Sequence, residues 1–511
     1  MRRSSDARRA WCGAFGAAML LFAFTASPYP QWQDSGWQQV RILTHQLHHP
    51  LGLALVHPLH HFLGRAAVAF LPFLEPAYAI TLVSAVAAAV AVANIATLVL
   101  LLTGSGGAAL ISAASLAVAH TFWQLATHTE SYTLFAALLT AEWLCLARYV
   151  RTRRTDSLMA MACFNGLGFA NHVLATLALP INAAILYFAT AGRRDARRTW
   201  TAAACWWTLG AMPYLAIIGA RVAQTGDVAT ALRSAFFGEF REQVLNTRVS
   251  VSMMTRAGGF VLYNFPNLTL PLAAAVFFTG RATASSADPA ERRALAYFVR
   301  FLAVELLVYG LFVIRYAIAD QYTFFIPVYC IVAALAGLGL ANLTPRLRAR
   351  APAFGLVLIL VTPAWYWATA KVLSSRHTLD AMLQGKPFRD GYRSLLVPWG
   401  IGDDHTVRLN RAALDLAGQN GVILFVDPMI GFSLQYDHLI GRWPKHVRLV
   451  DIATPTPARQ TFLRNLIRSA KTAGQAVVLV PAYRDRAETF LHEARWRREG
   501  ELFMLEALDG P

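Results

Sequence analysis

Long apolar segments dominate the chain up to about residue 372, and they constrain its fold more than any other feature. A helix that crosses a bilayer needs roughly 17–25 mostly apolar residues, and on this criterion we predict about eleven transmembrane helices. Their predicted bounds are 10–27, 80–102, 108–126, 131–150, 157–171, 173–190, 200–220, 259–278, 296–314, 322–343 and 353–372. The pair within 157–190 is short and meets at the polar sequence "FANHV", so we expect it to be broken or tilted.

The composition supports the same class of protein. The chain is 56% hydrophobic, and only 15% of its residues are charged. A soluble protein of this length needs a larger polar fraction to cover its surface. The sequence therefore predicts an α-helical polytopic membrane protein.

Positive charge is concentrated in the short gaps between apolar segments. The formal net charge is +17, and arginines cluster at 2–9, 148–154, 193–198, 281–293 and 346–350. Basic residues beside membrane spans stay on the cytoplasmic side. Placing each cluster inside gives a consistent topology with a cytoplasmic N-terminus and an extracytoplasmic C-terminus. We therefore expect a multi-pass protein of a bacterial inner membrane, whose basic residues face membrane lipids and not nucleic acid.

The first 27 residues allow two interpretations. A basic start, an apolar core and small residues near Ala26 are typical of a secretory signal peptide. The same residues also suit an uncleaved first span. We favour the uncleaved span because many further helices follow it. Both alternatives leave Asp34 outside the cytoplasm.

Residues 373–511 have the pattern of a separate α/β domain. Short apolar runs of strand length alternate there with helical patterns, which predicts a small parallel sheet. The strand runs are "GVILFVD", "HVRLVDI", "AVVLVPA" and "ELFMLEA", and the helical patterns are "ARQTFLRNLIRSAKTAG" and "RAETFLHEARW". No glycine-rich phosphate loop follows these runs, so we expect no nucleotide site. We divide the chain into a transmembrane domain, 1–372, and an extracytoplasmic domain, 373–511, that acts as a lid or docking platform.

Charged residues at the external ends of the predicted spans are candidates for a functional site. Charges near the bilayer are costly, so those that persist there often serve a function. Asp34 lies in the first external loop, Glu130 in the second, and Arg315 and Asp320 in the fourth. The predicted topology puts all four at one membrane surface.

Four segments resemble one family of membrane enzymes. The segment "QDSGWQQVRILTHQLHHPLG" is similar to a first external loop in which Asp-Ser-Gly-Glu is followed by His-Pro-Pro-Gly. In the segment "HTFWQLATHTESY", Trp123 precedes a helix, and Glu130-Ser131-Tyr132 stands where the family has Glu-Val-Tyr. The third and fourth are "GLGFANHV", which includes His172, and "DQYTFFIPVY". In this order, across about residues 30–340, they resemble the protein O-mannosyltransferase-like family of the GT-C superfamily.

This resemblance implies the GT-C fold and the inverting transfer of a sugar from a polyprenyl-phosphate-linked donor to a protein or glycolipid acceptor. GT-C enzymes are similar in placing an acidic residue in the first external loop, so Asp34 is the expected general base or acceptor-positioning carboxylate. Glu130 corresponds to their second acidic position. An arginine fork suits a lipid phosphate, and we assign this role to Arg315, with Arg41 as the reserve. The expected substrate cavity includes Trp37, His49, Trp123, His172, Asp320 and Tyr322.

The chain departs from the family pattern at two positions. Trp37 stands where the family has the Glu of Asp-Ser-Gly-Glu, and Leu51 replaces the second proline of His-Pro-Pro-Gly. The first change removes a paired carboxylate, whereas divalent cations bind several oxygen ligands. A divalent cation is therefore not favoured, and we predict no metal site and no other cofactor.

Each candidate residue also has a structural interpretation. Asp34 and Glu130 are placed where they could cap the helices that follow them. Arg315 would then be an interfacial anchor, and His172 a packed polar group between helices. The histidines of "HQLHH" and "HPLHH" have a spacing compatible with zinc, but two prolines interrupt the segment and no cysteine is close. A zinc site is not favoured.

Two other function classes stand beside glycosyl transfer. A transporter or flippase for a lipid-linked or small solute is the main alternative, and a catalytically silent scaffold for the C-terminal domain is the lesser one. Transporters commonly show internal repeats and charges near the bilayer midplane. This chain shows no evident repeat, and its charges gather at span ends. The pattern favours the glycosyltransferase.

Overall fold

The computed structural model describes residues 2–278, 289–343, 346, 349–383, 385–453, 456–487 and 494–508. Contacts within the chain divide it into two compact units. The helical unit comprises Met1–Ala26, Leu47–Ala67 and Leu82–Tyr366. The C-terminal unit comprises Ser27–Gln46, Val68–Thr81 and Trp367–Pro511. The second unit thus includes parts of the predicted first external loop as well as the C-terminal residues.

Helices make up most of the described chain. Those that begin before residue 220 are α1 Arg2–Thr25, α2 Gln33–Leu43, α3 Pro58–Phe70, α4 Pro76–Thr103, α5 Gly106–Ala117, α6 His120–Ala126, α7 Tyr132–Thr152, α8 Asp156–Asn171, α9 Leu179–Thr190 and α10 Ala196–Thr225. They are followed by α11 Val228–Phe236, α12 Arg241–Leu245, α13 Val251–Asn264, α14 Thr269–Phe278, α15 Pro289–Arg315, α16 Ile326–Ala341 and α17 Ala351–Ser375. The C-terminal residues add α18 Gly391–Leu396, α19 His405–Ala417, α20 Pro428–Leu439 and α21 Pro457–Thr472. Short 3-10 helices occupy Leu53–Leu55, Val173–Ala178 and Gln321–Phe325.

The multi-pass character of the chain is confirmed, but the predicted number of about eleven spans is not. Within the described residues, 7 helices are long and apolar enough to cross a membrane, or up to 9 if each of two bent pairs forms one span. The predicted segments 10–27 and 157–171 correspond to α1 and α8, which do not qualify. Helix α8 has only 16 residues. The expected break after it is present, because the chain is extended at His172 before the next 3-10 helix begins.

Two of the predicted spans are helix pairs with sharp bends. Residues at each bend form hydrogen bonds with polar groups at the other. Helices α5 and α6 meet at 69°, and α13 and α14 meet at 112°. The side chain of Asn264, at the second bend, accepts a hydrogen bond from the backbone N–H of Thr121 (2.7 Å) and donates to its hydroxyl (3.1 Å). The hydroxyl of Tyr366 contacts the carbonyl oxygens of Val118 (3.0 Å) and Asn264 (3.1 Å). Polar side chains therefore replace backbone partners that the broken helices lack.

The interior of the helical unit also holds a polar cluster that the sequence pattern did not indicate. Glu142 on α7 is buried and accepts hydrogen bonds from the side-chain amides of Asn182 (2.7 Å) and Asn165 (3.1 Å). The indole N–H of Trp207 donates to the amide oxygen of Asn165 (3.0 Å). Glu305 on α15 is buried as well. Acidic residues are therefore not confined to the ends of the spans.

The C-terminal sheet has five strands in the order β2-β1-β3-β5-β4. The strands are β1 Val422–Phe425, β2 Arg448–Asp451, β3 Val477–Val480, β4 Ala494–Glu499 and β5 Leu502–Leu508. The pairs β1–β2 and β1–β3 are parallel, whereas β3–β5 and β4–β5 are antiparallel. All four predicted strand runs are confirmed, but the expectation of a wholly parallel sheet is wrong because the last two strands form a hairpin.

The predicted helix "RAETFLHEARW" is wrong at its C-terminal end, where residues 494–496 begin β4. Its residues 488–493 lie outside the described part of the chain. The sequence "ARWRRE" alternates between partly buried and exposed side chains over its first four residues, with Trp496 inward and Arg495 and Arg497 outward. This period of two is that of a strand.

Apolar side chains cover both faces of the sheet. On one face, Leu463 and Ile467 of α21 pack against alternate residues of β1 and β3. On the other face, residues of α19 and α20 pack against the remaining residues of the same strands. Trp32, from the segment that precedes α2, belongs to this second core. A residue of the predicted first external loop is thus part of the hydrophobic core of the C-terminal unit.

We expect the Glu142 cluster to stabilise the helical unit. The substitution Glu142→Ala removes the acceptor that Asn165 and Asn182 share, and a buried polar group without its partner costs about 1–3 kcal/mol. It should lower the midpoint of thermal unfolding of the detergent-solubilised protein, whereas Glu142→Gln keeps an acceptor oxygen and should retain most of the stability. The control is Glu242→Ala, at an exposed position. Equal midpoints for Glu142→Ala and this control would contradict the role of the cluster.

Candidate functional site

Helix α2 carries three of the residues that the sequence predicts for the site. Asp34, Trp37 and Arg41 follow one another at intervals of three and four residues, so they lie on one side of the helix. Trp32 occupies the N-cap position, and Asp34 lies within the first turn. Asp34 is therefore not the cap of this helix, and its negative charge sits at the end where the helix dipole favours an anion.

The start of α2 is fixed by residues of the C-terminal unit to which it belongs. The indole N–H of Trp32 donates to the hydroxyl of Ser433 on α20 (3.0 Å), and that hydroxyl contacts the side-chain oxygen of Asn410 on α19 (3.0 Å). The hydroxyl of Thr406 donates to the carbonyl oxygen of Pro30 (2.8 Å). The ring of Trp32 is thus packed in the core and its N–H is hydrogen-bonded. These contacts fix the residues just before Asp34.

The body of α2 packs closely on α20. The rings of Trp37 and Phe432 lie 4.8 Å apart between centroids. Gly36 faces the same helix at a close approach, since a Cβ added there would lie 3.1 Å from the Cβ of Phe432. The same Cβ would lie 2.1 Å from the carbonyl oxygen of Gln31, which is far inside van der Waals contact. Only glycine fits this position without a shift of the backbone.

A second segment of the C-terminal unit is held by α20 through a charged network. The hydroxyl of Tyr436 donates to the carboxylate of Glu75 (2.6 Å) and accepts from the backbone N–H of Ala77 (2.7 Å). Arg442 forms ion pairs with Glu75 (2.6 Å) and Asp437 (2.9 Å). Helix α20 therefore contacts both α2 and the segment before α4.

The carboxylate of Asp34 is accessible to solvent. It makes no hydrogen bond or ion pair with the residues that the structure describes. Partial desolvation by the surrounding protein raises the pKa of this carboxyl above its usual value. Such a group is available to a ligand and is a stronger base than an ordinary aspartate.

Arg41, at the other end of α2, lies in a different environment. Only 2% of the residue is exposed. Its Nε donates to the carbonyl oxygen of Gln46 (3.2 Å), and its guanidinium lies 6.0 Å from the centre of the Trp37 ring. Burial lowers its pKa to about 10, so the side chain stays charged at neutral pH. The structure therefore gives Arg41 clear packing and hydrogen-bonding roles within its unit.

In the helical unit, Tyr132 is the centre of a cluster that joins several predicted residues. Glu130 and Asp320 are both near enough to act electrostatically on its hydroxyl. Its ring lies 5.1 Å from that of His172. Glu130, Asp320 and His172 are thus brought together around a tyrosine.

The backbone of Glu130 is fixed by Ser84. The backbone N–H of Glu130 donates to the Ser84 hydroxyl (2.9 Å), and that hydroxyl donates to the carbonyl oxygen of Glu130 (3.0 Å). Helix α7 has Ser131 at its N-cap position, without a side-chain hydrogen bond to the helix. The structure therefore gives no support to Glu130 as the cap of α7.

His172 stacks on a second histidine. The rings of His172 and His57 lie 5.0 Å apart at an interplanar angle of 22°. The Nδ1 of His172 accepts from the backbone N–H of Leu174 (3.1 Å), and the Nδ1 of His57 contacts the carbonyl oxygen of Asn171 (2.8 Å). His57 has a positive φ of 49°, which is unusual for a residue other than glycine. The expected packing role of His172 is present, and it adjoins Tyr132.

Arg315 contacts backbone carbonyl groups at the C-terminal end of α12. Its Nη1 donates to the carbonyl oxygens of Val244 (2.9 Å) and Asn246, and the side-chain amide of Asn246 donates back to the carbonyl oxygen of Arg315 (2.9 Å). Its guanidinium also lies 5.3 Å from the centre of the Phe312 ring. Among the described residues, Nη2 and Nε have no hydrogen-bond partner. One edge of the Arg315 guanidinium therefore binds backbone carbonyl groups, and the other edge is available to a ligand.

The remaining predicted cavity residues have structural contacts of their own. The indole N–H of Trp123 donates to the hydroxyl of Thr25 (2.9 Å). The Nδ1 of His49 accepts from the backbone N–H of Leu51 (3.1 Å). Tyr322 packs on Phe260 with 6.1 Å between ring centroids. Trp123 and His49 are buried, so their roles in a substrate cavity stay predictions.

No three side chains of His, Cys, Asp or Glu come together as ligands for a metal ion in the described part of the chain. His60 and His61 of the repeated histidine segment are buried on α3, whereas His45 and His48 are exposed ahead of it. The histidines are therefore spread over different environments.

Two features of the site were not found from the sequence. Tyr132 lies two residues after Glu130 in "HTESY", and this proximity was the available signal. The contribution of His57 had no signal, because its contact with His172 joins residues 115 positions apart in the chain. Asp34 and Arg41 belong to the C-terminal unit, whereas Glu130, His172, Arg315 and Asp320 belong to the helical unit.

Comparison with known proteins agrees with the fold. The model of the family described as protein O-mannosyl-transferase TMEM260 N-terminal domain matches residues 34–195. No curated protein matches the sequence. Among solved structures, the chain is similar to ArnT from Cupriavidus metallidurans, a GT-C glycosyltransferase crystallised with undecaprenyl phosphate. The identity is 13% and the TM-score 0.58, over 98% of this chain and 99% of that one.

These matches confirm the predicted GT-C fold and the resemblance to the O-mannosyltransferase-like family. The structural likeness supports the fold, and the family model supports the enzyme class. Together they favour the glycosyltransferase over the transporter.

We expect Gly36 to be required for the position of α2. The substitution Gly36→Ala places a methyl group against the carbonyl oxygen of Gln31, so the helix must shift away from α20. The midpoint of thermal unfolding should fall and limited proteolysis between α2 and α3 should become faster. The matched control is Gly219→Ala, since nothing lies within 4 Å of a Cβ at that position. If both variants resist proteolysis equally, the packing of α2 does not depend on Gly36.

Proposed function

We propose that this protein, which has the GT-C glycosyltransferase fold, transfers a sugar from a polyprenyl-phosphate-linked donor to a protein or glycolipid acceptor outside the cytoplasm. The undecaprenyl phosphate bound to ArnT supports a polyprenyl carrier. The family model describes a protein O-mannosyl-transferase, which supports mannose as the first sugar to test and a protein hydroxyl as the first acceptor.

The observation that carries this proposal is the environment of the Asp34 side chain. Its carboxylate is accessible, makes no hydrogen bond or ion pair within the described residues, and sits on a helix that is anchored in a hydrophobic core. A general base needs these properties, because it must reach the acceptor proton and stay in place while the bond forms. The family resemblance assigns the same residue.

In the proposed reaction, Asp34 accepts the proton of the acceptor hydroxyl as that oxygen attacks the anomeric carbon of the sugar. The bond between this carbon and the phosphate oxygen breaks, and the polyprenyl phosphate departs with both electrons of that bond. Attack from the face opposite the phosphate inverts the anomeric configuration. The charge that develops on the departing phosphate requires a cationic group nearby.

We assign the phosphate to Arg315, using the edge of its guanidinium that has no hydrogen bond within the described residues. A fork with one edge fixed on backbone carbonyls is already oriented, which lowers the entropy lost on binding. Arg41 remains the reserve, although it is almost fully buried. Glu130 is proposed as the second acidic residue, and a divalent cation is not favoured.

The substitution Asp34→Asn should abolish most of the transfer. Loss of a general base typically slows a reaction about 10²–10⁴-fold, and the amide keeps the size of the side chain. The measurement is transfer of labelled mannose from polyprenyl-phosphate mannose in membranes that contain the variant. The control is Asp415→Asn, at an exposed carboxylate of the same unit that lies 3.9 Å from Arg411.

Unchanged transfer by the Asp34→Asn variant would show that Asp34 is not the general base. Failure of the native protein to transfer sugar from any polyprenyl-phosphate donor would instead favour the transporter or the scaffold. Thermal unfolding of the variant provides a check on folding. The charged Asp34 is desolvated in the folded state, so replacing it should leave stability at neutral pH unchanged or raise it.

The pH dependence of transfer gives an independent test. The base is active only as the carboxylate, so the rate should fall as the pH drops through the pKa of Asp34. Because desolvation raises this pKa, the acid limb of kcat/KM should lie above the usual range of an aspartate. The residual activity of Asp34→Asn should lack this limb. An identical acid limb in the variant would assign it to another group.

A further inference from the structure

A small cavity lies at the end of the last candidate span, away from the residues considered so far. Its volume is about 80 Å³, and every residue that lines it belongs to the C-terminal unit. The lining residues that matter here are Trp367, Lys371, Ser374, Asp390, Tyr392 and Arg393. Two cations, one carboxylate and two hydroxyl groups thus surround a space large enough for a small polar group.

The first wall of the cavity is the C-terminal part of α17. Trp367, Lys371 and Ser374 follow one another at intervals of four and three residues, so they share one face of this helix. The ammonium of Lys371 lies 5.8 Å from the centre of the Trp367 ring. Lys371 forms no ion pair or hydrogen bond with the residues that the structure describes. Its charge is therefore available to an anion.

The second wall is the start of α18. Arg393 donates from Nη2 to the carbonyl oxygen of Ile401 (2.7 Å), which fixes one end of its guanidinium. Its Nε is buried without a hydrogen-bond partner in the described residues. One carboxylate oxygen of Asp390 accepts from the backbone N–H of Arg393 (3.0 Å) as the N-cap of α18. The other oxygen has no such partner in the described part of the chain.

The location of the cavity indicates a lipid ligand. Helix α17 is a candidate membrane span, and Leu360, Trp365, Trp367 and Val372 are exposed along its second half. Exposed tryptophans at the end of a span mark the depth of lipid headgroups. A lysine one turn beyond them extends its ammonium to the same level. A lipid whose chains lie along α17 would bring its headgroup to this cavity.

We propose that the cavity binds the headgroup of a zwitterionic phospholipid of the phosphoethanolamine type. Lys371 and the guanidinium of Arg393 bind the phosphate, since charge-assisted hydrogen bonds to phosphate are strong. Asp390 binds the ammonium group through its second oxygen. An anionic headgroup has no positive group to offer Asp390, and this carboxylate distinguishes the two lipid classes. The site is independent of the proposed transfer reaction.

The test is native mass spectrometry of the full-length protein in detergent, titrated with dioleoylphosphatidylethanolamine, dioleoylphosphatidylglycerol or dioleoylglycerol. The native protein should retain the phosphoethanolamine lipid best and the phosphate-free lipid least. Each of Lys371→Gln and Arg393→Gln should weaken its binding about tenfold, as expected for the loss of one charged hydrogen bond. Asp390→Asn keeps the helix cap and should abolish the preference for phosphatidylethanolamine over phosphatidylglycerol.

The matched control is Lys445→Gln, at an exposed lysine of the same unit outside the cavity, and it should bind lipid like the native protein. Equal binding by the native protein, Lys371→Gln and Arg393→Gln would overturn the proposal. A preference of the native protein for phosphatidylglycerol would overturn the assignment of the headgroup. Displacement of the lipid by inorganic phosphate at the same concentration would identify a site for the free anion and overturn the lipid ligand.

Discussion

The insertion of Trp32 into the core of the C-terminal unit is the interaction on which the placement of α2 depends. The indole is buried among side chains of α19, α20 and the sheet, and its N–H finds an acceptor on Ser433. Burying a large aromatic side chain contributes roughly 1.5–3 kcal/mol, provided that its polar atom is satisfied. Trp32 is both buried and hydrogen-bonded, so it provides this stabilisation. Helix α2 begins immediately afterwards, so the direction in which Asp34 points is set by a core contact.

The helical unit uses a different principle. Its broken helices leave backbone groups without partners in an environment that has no water to replace them. Asn264 and Tyr366 supply these hydrogen bonds, so the two bends support each other. The buried amides around Glu142 extend the same principle to side chains. Polar residues in this unit therefore supply the hydrogen bonds that irregular helices lack. The irregular helices in turn allow Tyr132, His172 and their neighbours to converge.

Sequence reasoning identified the local patterns and missed the long-range contacts. The apolar segments and the strand runs were found because each has a signature within about twenty residues. The count of about eleven spans is not confirmed, because α1 and α8 do not qualify as spans within the described residues and two other predicted spans are bent helix pairs. Residues 494–496 were assigned to the end of a helix, although "ARWRRE" alternates as a strand. The contact of Trp32 with Ser433 could not be predicted, because nothing in a local pattern links residues 401 positions apart.

That separation has a consequence for the biosynthesis of the protein. Helix α2 emerges from the ribosome early, but the residues that enclose Trp32 are among the last to be made. At a synthesis rate of 5–20 residues per second, about 20–80 s pass between the two. During this interval the membrane helices can insert while the carboxylate of Asp34 has no fixed orientation. A chain that terminates before α20 cannot complete the core around Trp32, so an incomplete product lacks the support of its proposed base.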